Sequence, residues 1–340
     1  MMKASKTAVI LINVGSPDSS STKDVRKYLS EFLNDPRVMD IPWLLRKILV
    51  NLVIVPFRAP RSAGLYRLLE TEKGFPQIYY GEAVKEKLQQ QLGGEFGVFL
   101  AMRYGSPGLR EVTGQILDEG CHKLVAIPLY PQYASCTTGS ALSLIMRELQ
   151  AREVIPGLQF VSQFYDHPGF VRAFAARIRQ SGYREYDHLV FSYHGLPLRQ
   201  IRKVHPHVNP AGCSCETELP AHGKYCYKAA CYETSRLIAA ELGLGPDDYS
   251  VAFQSRMSSG WTAPFTDELL VQKAGEGVSE VLVAAPSFVA DCLETTVELG
   301  VEYKELFLQA GGEKLSYVES LNDMDEWVEV LKELVMQPSE

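Results

Sequence analysis

Four short runs of this chain, Ala8 to Val14, Leu124 to Leu129, His188 to Tyr193 and Val281 to Ala285, are apolar with no polar alternation. A strand with one wet face alternates, so runs that are apolar throughout predict strands buried on both faces, as in a parallel sheet covered by helices. Between and beside them, Gly81 to Leu92, Ser140 to Arg152, Pro168 to Gln180 and Cys231 to Leu242 space their apolar residues at the helical period. Such segments supply the crossovers that parallel strands require. The expected class is doubly wound α/β.

The 340 residues are too many for one such domain, since single domains cluster at roughly 100–150 residues. AVILINVGSP, ending at Pro17, matches LVFSYHGLP, ending at Pro197, in strand, glycine and proline placement. LVAIPLYPQYASCTTGSAL from Leu124 and VLVAAPSFVADCLETTVEL from Val281 align at Pro128 and Pro286. Matching strand-to-loop units in the same order predict two similar Rossmann-like domains with parallel sheets. Their expected limits are 1–165 and 166–320, followed by a C-terminal helix over 321–340.

Composition removes several classes of function. With 46% apolar and 22% charged residues, the chain is expected to fold throughout. A formal charge of -7 offers no basic face for nucleic acid. No GxxxxGK[ST] and no convincing dinucleotide fingerprint occurs, so nucleotide chemistry lacks support. The greasiest stretch, Ile41 to Phe57, is interrupted by Arg46, Lys47 and Asn51; its pieces fall short of the ~20 residues a membrane span needs, and no transmembrane helix is expected. Seven cysteines, four of them crowded between Cys213 and Cys231, do not resemble a secreted disulfide framework. A cytoplasmic address is expected.

Ligands of open α/β sheets sit beyond the carboxyl ends of the strands, so chemistry is expected in the segments that follow the four runs. His194 and Gly195 follow the third run. A strand-end histidine is either a catalytic base or a hydrogen-bonded structural residue. After the fourth run come Asp291, Glu294, Glu298 and Glu302, the glutamates four apart. That spacing puts three carboxylates on one face of a helix, either as a solvated acidic face or, if buried, as a row that binds cations or holds protons. Arg103-Tyr104-Gly105, Tyr130-Pro131-Gln132-Tyr133 and Phe253-Gln254-Ser255-Arg256 with Trp261 mix guanidinium, aromatic and small residues. Such loops suit a flat aromatic ligand bearing carboxylates, and equally a structural role.

Cys213, Cys215, Cys226 and Cys231 are spaced C-x-C-x10-C-x4-C in a polar stretch. Four thiolates serve zinc or an iron-sulfur cluster alike, and the spacing does not choose between them. His222 lies within the stretch as an alternative ligand, and chance clustering of buried thiols is the remaining reading.

Taken in order, INVGSP at Ile12, MRYGSP at Met102, PLYPQYASCTTGS at Pro128, FSYHGLP at Phe191, FQSR at Phe253 and PSFVADCLETTVELGVEY at Pro286 resemble the ferrochelatases nearly end to end. The resemblance implies a lyase that inserts Fe²⁺ into protoporphyrin IX to form protohaem, with a porphyrin cleft between two chelatase-like domains. It implies catalytic roles for His194 and Glu294 on opposite faces of the ring, the division of proton removal and metal delivery remaining open. Glu298 and Glu302, with Asp291 in support, are implied as a metal or proton path, and Arg103, Tyr104 and Tyr130 as porphyrin contacts. Cys292 stands where some relatives carry a second histidine, as in certain bacterial members. The four internal cysteines resemble a bacterial subset with a [2Fe-2S] cluster, which favours a cluster over zinc, in an insert at about 205–232. The related alternatives are a chelatase for coproporphyrin III with iron or for a corrin precursor with cobalt. A redox or iron-carrier module built on the cysteines is the alternative from another class.

The segment Ile41 to Tyr66 gathers Pro42, Trp43, Leu44, Leu45, Ile48, Leu49, Leu52, Val53 and Ile54 on an apolar face. By pattern it is a buried helix. The resemblance implies instead an apolar lip over the porphyrin. With Trp43 as an anchor and Arg46, Lys47, Arg58 and Arg61 nearby, such a lip also suits peripheral contact with the inner face of the cell membrane.

Overall fold

The computed structural model describes residues 7–208 and 213–337. Residues 1–6, 209–212 and 338–340, which fall within the sequence-based segments 1–165, 205–232 and 321–340, lie outside the described residues.

The chain forms two compact units, one of residues 1–130, 135–163 and 323–340 and the other of 131–134 and 164–322. In the first, β1 (Thr7–Asn13), β2 (Phe96–Met102), β3 (Lys123–Pro128) and β4 (Gly157–Phe160) form a parallel sheet in the order β2-β1-β3-β4. In the second, β5 (His188–His194), β6 (Tyr249–Gln254), β7 (Glu280–Ala284) and β8 (Lys314–Tyr317) repeat it as β6-β5-β7-β8. Both sheets start from an inner strand, step to one side and then cross back. The repeat extends to detail: the Met102 N–H donates to the Pro107 carbonyl at 2.7 Å, and the Phe253 N–H donates to the Pro264 carbonyl at 2.8 Å.

The four strands expected from the apolar runs form within a residue of their predicted ends. Val9, Ile10, Leu11 and Ile12 are fully buried, each stabilising the fold by about 1.5–3 kcal/mol. Helices Leu109–Asp118 and Ser140–Gln150 pack their apolar stripes on β1 and β3. In the second unit, Thr266–Gly275 and the helical stretch ending at Gln309 do the same on β5 and β7. Of the remaining four strands, β2 (FGVFLAM) is also apolar throughout and was not singled out. β4 and β8 are four-residue edges, and the first residues of β2 and β6 are only partly buried. The C-terminal helix, Asp325–Met336, belongs to the first unit, where Lys87 bonds Asp325 at 3.0 Å and Gln159 bonds the Leu334 carbonyl at 3.0 Å.

The expectation that the stretch 41–57 is too interrupted by charge to reach the length of a span is corrected. Trp43–Leu69 is one helical stretch of 27 residues, long and apolar enough to cross a membrane by length and composition. Arg46 turns inward from this stretch and donates to the carbonyls of Met39 (3.2 Å) and Ile41 (2.9 Å), so its charge is off the exposed face. The stretch is docked on helix Thr22–Leu33, where Asn51 accepts from Ser30 at 2.7 Å and Tyr66 meets Tyr28 edge to face at 6.1 Å. Val50, Val55, Ala59 and Ala63 fill that contact face, while Trp43, Leu44, Leu45, Leu52 and Phe57 stay exposed.

Candidate active site

In sheets of this order the strand sequence reverses between the two inner strands, and the crevice beyond their carboxyl ends is the natural ligand position. In the second unit those strands are β5, ending in His194, and β7, which leads into Pro286–Glu294. His194 is partly exposed, and its Nδ1 lies 2.6 Å from the Gly195 carbonyl. A carbonyl only accepts, so Nδ1 is the donor in this contact, and in the neutral ring Nε2 is the nitrogen that can accept a proton. Gly195 is needed at this bend: a Cβ there would stand 3.0 Å from the Gln254 carbonyl and 3.4 Å from the Trp261 ring.

After β7 the chain enters a π-helix, Leu293–Tyr303. Helices with i→i+5 bonds are rare at any length and concentrate at functional sites. The sequence row Glu294, Glu298 and Glu302 lies on it and runs from half-buried through half-buried to exposed. Glu298 is anchored through both carboxyl oxygens. It accepts from Gln254 Nε2 (2.9 Å), the Ser255 N–H (2.9 Å), Ser255 Oγ (2.5 Å) and Tyr303 Oη (2.9 Å), which fills the roughly four lone-pair sites of a carboxylate. Burial and the Glu298 charge together push the Tyr303 phenol up. Asp291 is buried and accepts from Thr295 (2.9 Å), the Ser320 N–H (3.1 Å) and Asn322 (2.7 Å), so it fixes the entry to the π-helix. Burial, then the Glu294 charge and a hydrogen bond to that carboxylate, raise the Cys292 thiol well above its usual range.

The first unit holds a separate polar cluster. Arg103, beyond β2, pairs with Asp35 and donates through Nε to Ser140 at 2.7 Å. Asp35 also accepts from Tyr104 (3.0 Å) and Ser140 (2.5 Å). Burial alone would raise the Asp35 carboxyl; the bonds from Ser140 and the Arg37 N–H, with the Arg103 charge, outweigh it and hold it below the carboxylate range. Tyr130, beyond β3, is different. Its phenol oxygen is buried with no hydrogen-bond partner among the described residues, an omission that costs about 1–3 kcal/mol unless a ligand supplies the acceptor.

A family model described as Ferrochelatase matches residues 6–339. The ferrochelatase of Legionella pneumophila (strain Lens) is 39% identical over 336 residues, covering 97% of this chain and 98% of that one. That of Opitutus terrae is 40% identical over 329 residues, covering 95% of each. The chain belongs to the ferrochelatase family. Among solved structures, SirB from Bacillus subtilis with Fe3+ has the same fold, at a TM-score of 0.53, 10% identity and coverage of 97% of this chain and 96% of that one.

For a ferrochelatase-family chain, the structure brings His194, Asp291, Glu294 and Glu298 to one end of one sheet. Arg103 and Tyr104 lie in the other unit with their polar ends turned to Asp35. Asp35 itself was missed in the sequence, because nothing local marks the Asp of FLNDPRV as the partner of an arginine 68 residues away. Arg256 of FQSR is taken up by Asp267 and Glu268, both at 2.7 Å, while its neighbours Gln254 and Ser255 hold Glu298.

The four cysteines are all free. Cys215, Cys226 and Cys231 are buried. Cys213 hydrogen-bonds Cys215, and burial first, then the neighbouring sulfurs, raises the thiols of Cys215, Cys226 and Cys231. His205 Nε2 stands 3.0 Å from Cys226 Sγ, and His222 Nε2 is 3.5 Å from Cys213 Sγ. Among the described residues, no three His, Cys, Asp or Glu side chains are arranged as a closed metal cage. Cysteine sulfur is nonetheless the donor type that zinc and iron-sulfur clusters both take, and four such side chains lie in this one segment.

Proposed function

We propose that this chain inserts ferrous iron into protoporphyrin IX to form protohaem, with Nε2 of His194 taking a pyrrole proton and Glu294 acting on the entering metal or the second proton. The observation that carries this reading is the Nδ1–H bond from His194 to the Gly195 carbonyl, which leaves Nε2 as an acceptor at the strand-order reversal. A free-base porphyrin is planar and holds two weakly acidic N–H protons. Metallation needs a bent ring, a base for those protons and an iron ion stripped of water. A positioned imidazole serves the proton step, and binding energy from the rest of the ring drives the distortion. Asp291 and Glu298, saturated by their own donors, hold the π-helix that presents Glu294, and Glu302 is the outer member of the metal or proton path. On the first unit, Tyr130 offers its unused phenol O–H to a porphyrin carboxylate, and Arg103 and Tyr104 shape the neighbouring wall.

The apolar exposed face of Trp43–Leu69 favours protoporphyrin, whose vinyl edge is greasy, over coproporphyrin III, whose four carboxylates would be desolvated against it. Mixing the protein anaerobically with Fe²⁺ and either porphyrin, followed by absorbance, tests this. The expected result is a higher kcat/KM for protoporphyrin IX. A preference for coproporphyrin III refutes the substrate, and no metallation of either refutes the activity.

The same face supports a peripheral membrane site for an otherwise cytoplasmic protein. Trp43, Leu45, Leu52 and Phe57 are exposed together, with Lys47, Arg58 and Arg61 exposed beside them. Arg46, buried, plays no part. Replacing Leu45 and Leu52 together with Ser is expected to weaken binding to anionic vesicles roughly tenfold or more, as about 1.5–3 kcal/mol of apolar burial per side chain is partly lost. Sedimentation with vesicles at low and high salt measures it, and absence of wild-type binding at low salt refutes the site.

Cys213, Cys215, Cys226 and Cys231 are proposed to hold a [2Fe-2S] cluster, with zinc as the alternative. When bound, either group supplies ligation energy that ties the insert together, and a cluster also supplies one-electron redox capacity.

A further inference from the structure

The helix that carries Cys231 also grips the end of β5. Tyr227, its first residue, directly follows Cys226 and lies one turn before Cys231, on the same helix face. The Tyr227 ring is buried, and its hydroxyl donates to the backbone carbonyl of His194 at 2.8 Å. Two turns along the same helix, Ser235 bonds the hydroxyl of Tyr193 at 2.8 Å, so both final residues of β5 are tied to it.

We propose that Tyr227 is a positioning residue for His194, on the reading above that His194 is the proton acceptor. A phenol carries one proton. Tyr227 gives it to the His194 carbonyl and so holds that peptide against the helix. The next peptide carries the Gly195 carbonyl that holds Nδ1, so the bond reaches the direction of Nε2.

Tyr227→Phe keeps the buried ring and removes only the hydroxyl. The expected result is a fall in kcat of about tenfold, with the porphyrin KM within twofold and the metal content per chain and thermal midpoint unchanged. In a His194→Ala background, Tyr227→Phe is expected to change the residual rate less than twofold, because the group it positions is gone. An unchanged kcat overturns the proposal, as does a fall in kcat matched by loss of metal, which is what a purely structural tyrosine gives. The base assignment fails separately, through a His194→Ala variant that turns over near the wild-type rate.

Discussion

His194→Ala is expected to lower kcat for porphyrin metallation by about 10²- to 10⁴-fold, the usual contribution of a positioned general base. The side chain stands at the exposed end of β5, and its one local bond runs to the adjacent Gly195 carbonyl, which water can satisfy once the ring is removed. The strand is held by Leu189, Val190, Phe191 and Tyr193, all buried. The fold and the porphyrin Kd are therefore expected to stay close to wild type, and only the rate to collapse. Anaerobic turnover followed by haem absorbance, beside porphyrin binding by fluorescence quenching, separates the two. Turnover within a few-fold of wild type sinks the assignment of the base.

The second large effect is expected at Cys231, a fully buried residue inside helix Tyr227–Leu242. Cys231→Ser removes one of the four proposed sulfur ligands and puts a hydroxyl into a buried site, leaving that polar group poorly satisfied at a cost of about 1–3 kcal/mol. The larger loss is ligation itself, since structural zinc bound by small domains contributes an apparent ~10–16 kcal/mol that acts as folding energy. The variant is expected to retain under about a tenth of the wild-type metal and to unfold at a lower temperature. Cys121→Ser, outside the insert and partly exposed, is the control expected to keep the centre. Iron, sulfide and zinc per chain decide the outcome. Full metal content in Cys231→Ser would remove it from the ligand set, and stoichiometric zinc without sulfide in the wild type would replace the cluster by zinc.

The inner strands were legible because burial on both faces leaves a mark in every consecutive residue: β1 and β5 are buried from their second position or earlier through their penultimate residue. The repeat was legible because two sheets with the same order place equivalent loops at equivalent strand ends. His194 and the Asp291 to Glu302 row could be singled out for the same reason, as polar residues directly following apolar strands.

What the local pattern could not carry were pairings between distant segments. Arg103 and Tyr104 read as free contacts until Asp35 and Ser140 closed around them. Glu298 read as one of three equivalent carboxylates until Gln254, Ser255 and Tyr303 filled its oxygens. Arg46 read as a charge that interrupts an apolar stretch, and the tertiary structure turned it away onto two carbonyls within one continuous helical segment. Nothing in LETTVELGVEY announces a π-helix, and nothing in KYCYKAAC announces that a tyrosine beside one cysteine reaches the carbonyl of His194. The sequence by itself determined the class of fold, its duplication and the strand end at which the candidate residues gather, because hydrophobic periodicity is a local property written residue by residue. Only the tertiary structure decided which charges are spent on one another and which remain available, because a hydrogen-bond partner is chosen by proximity in space.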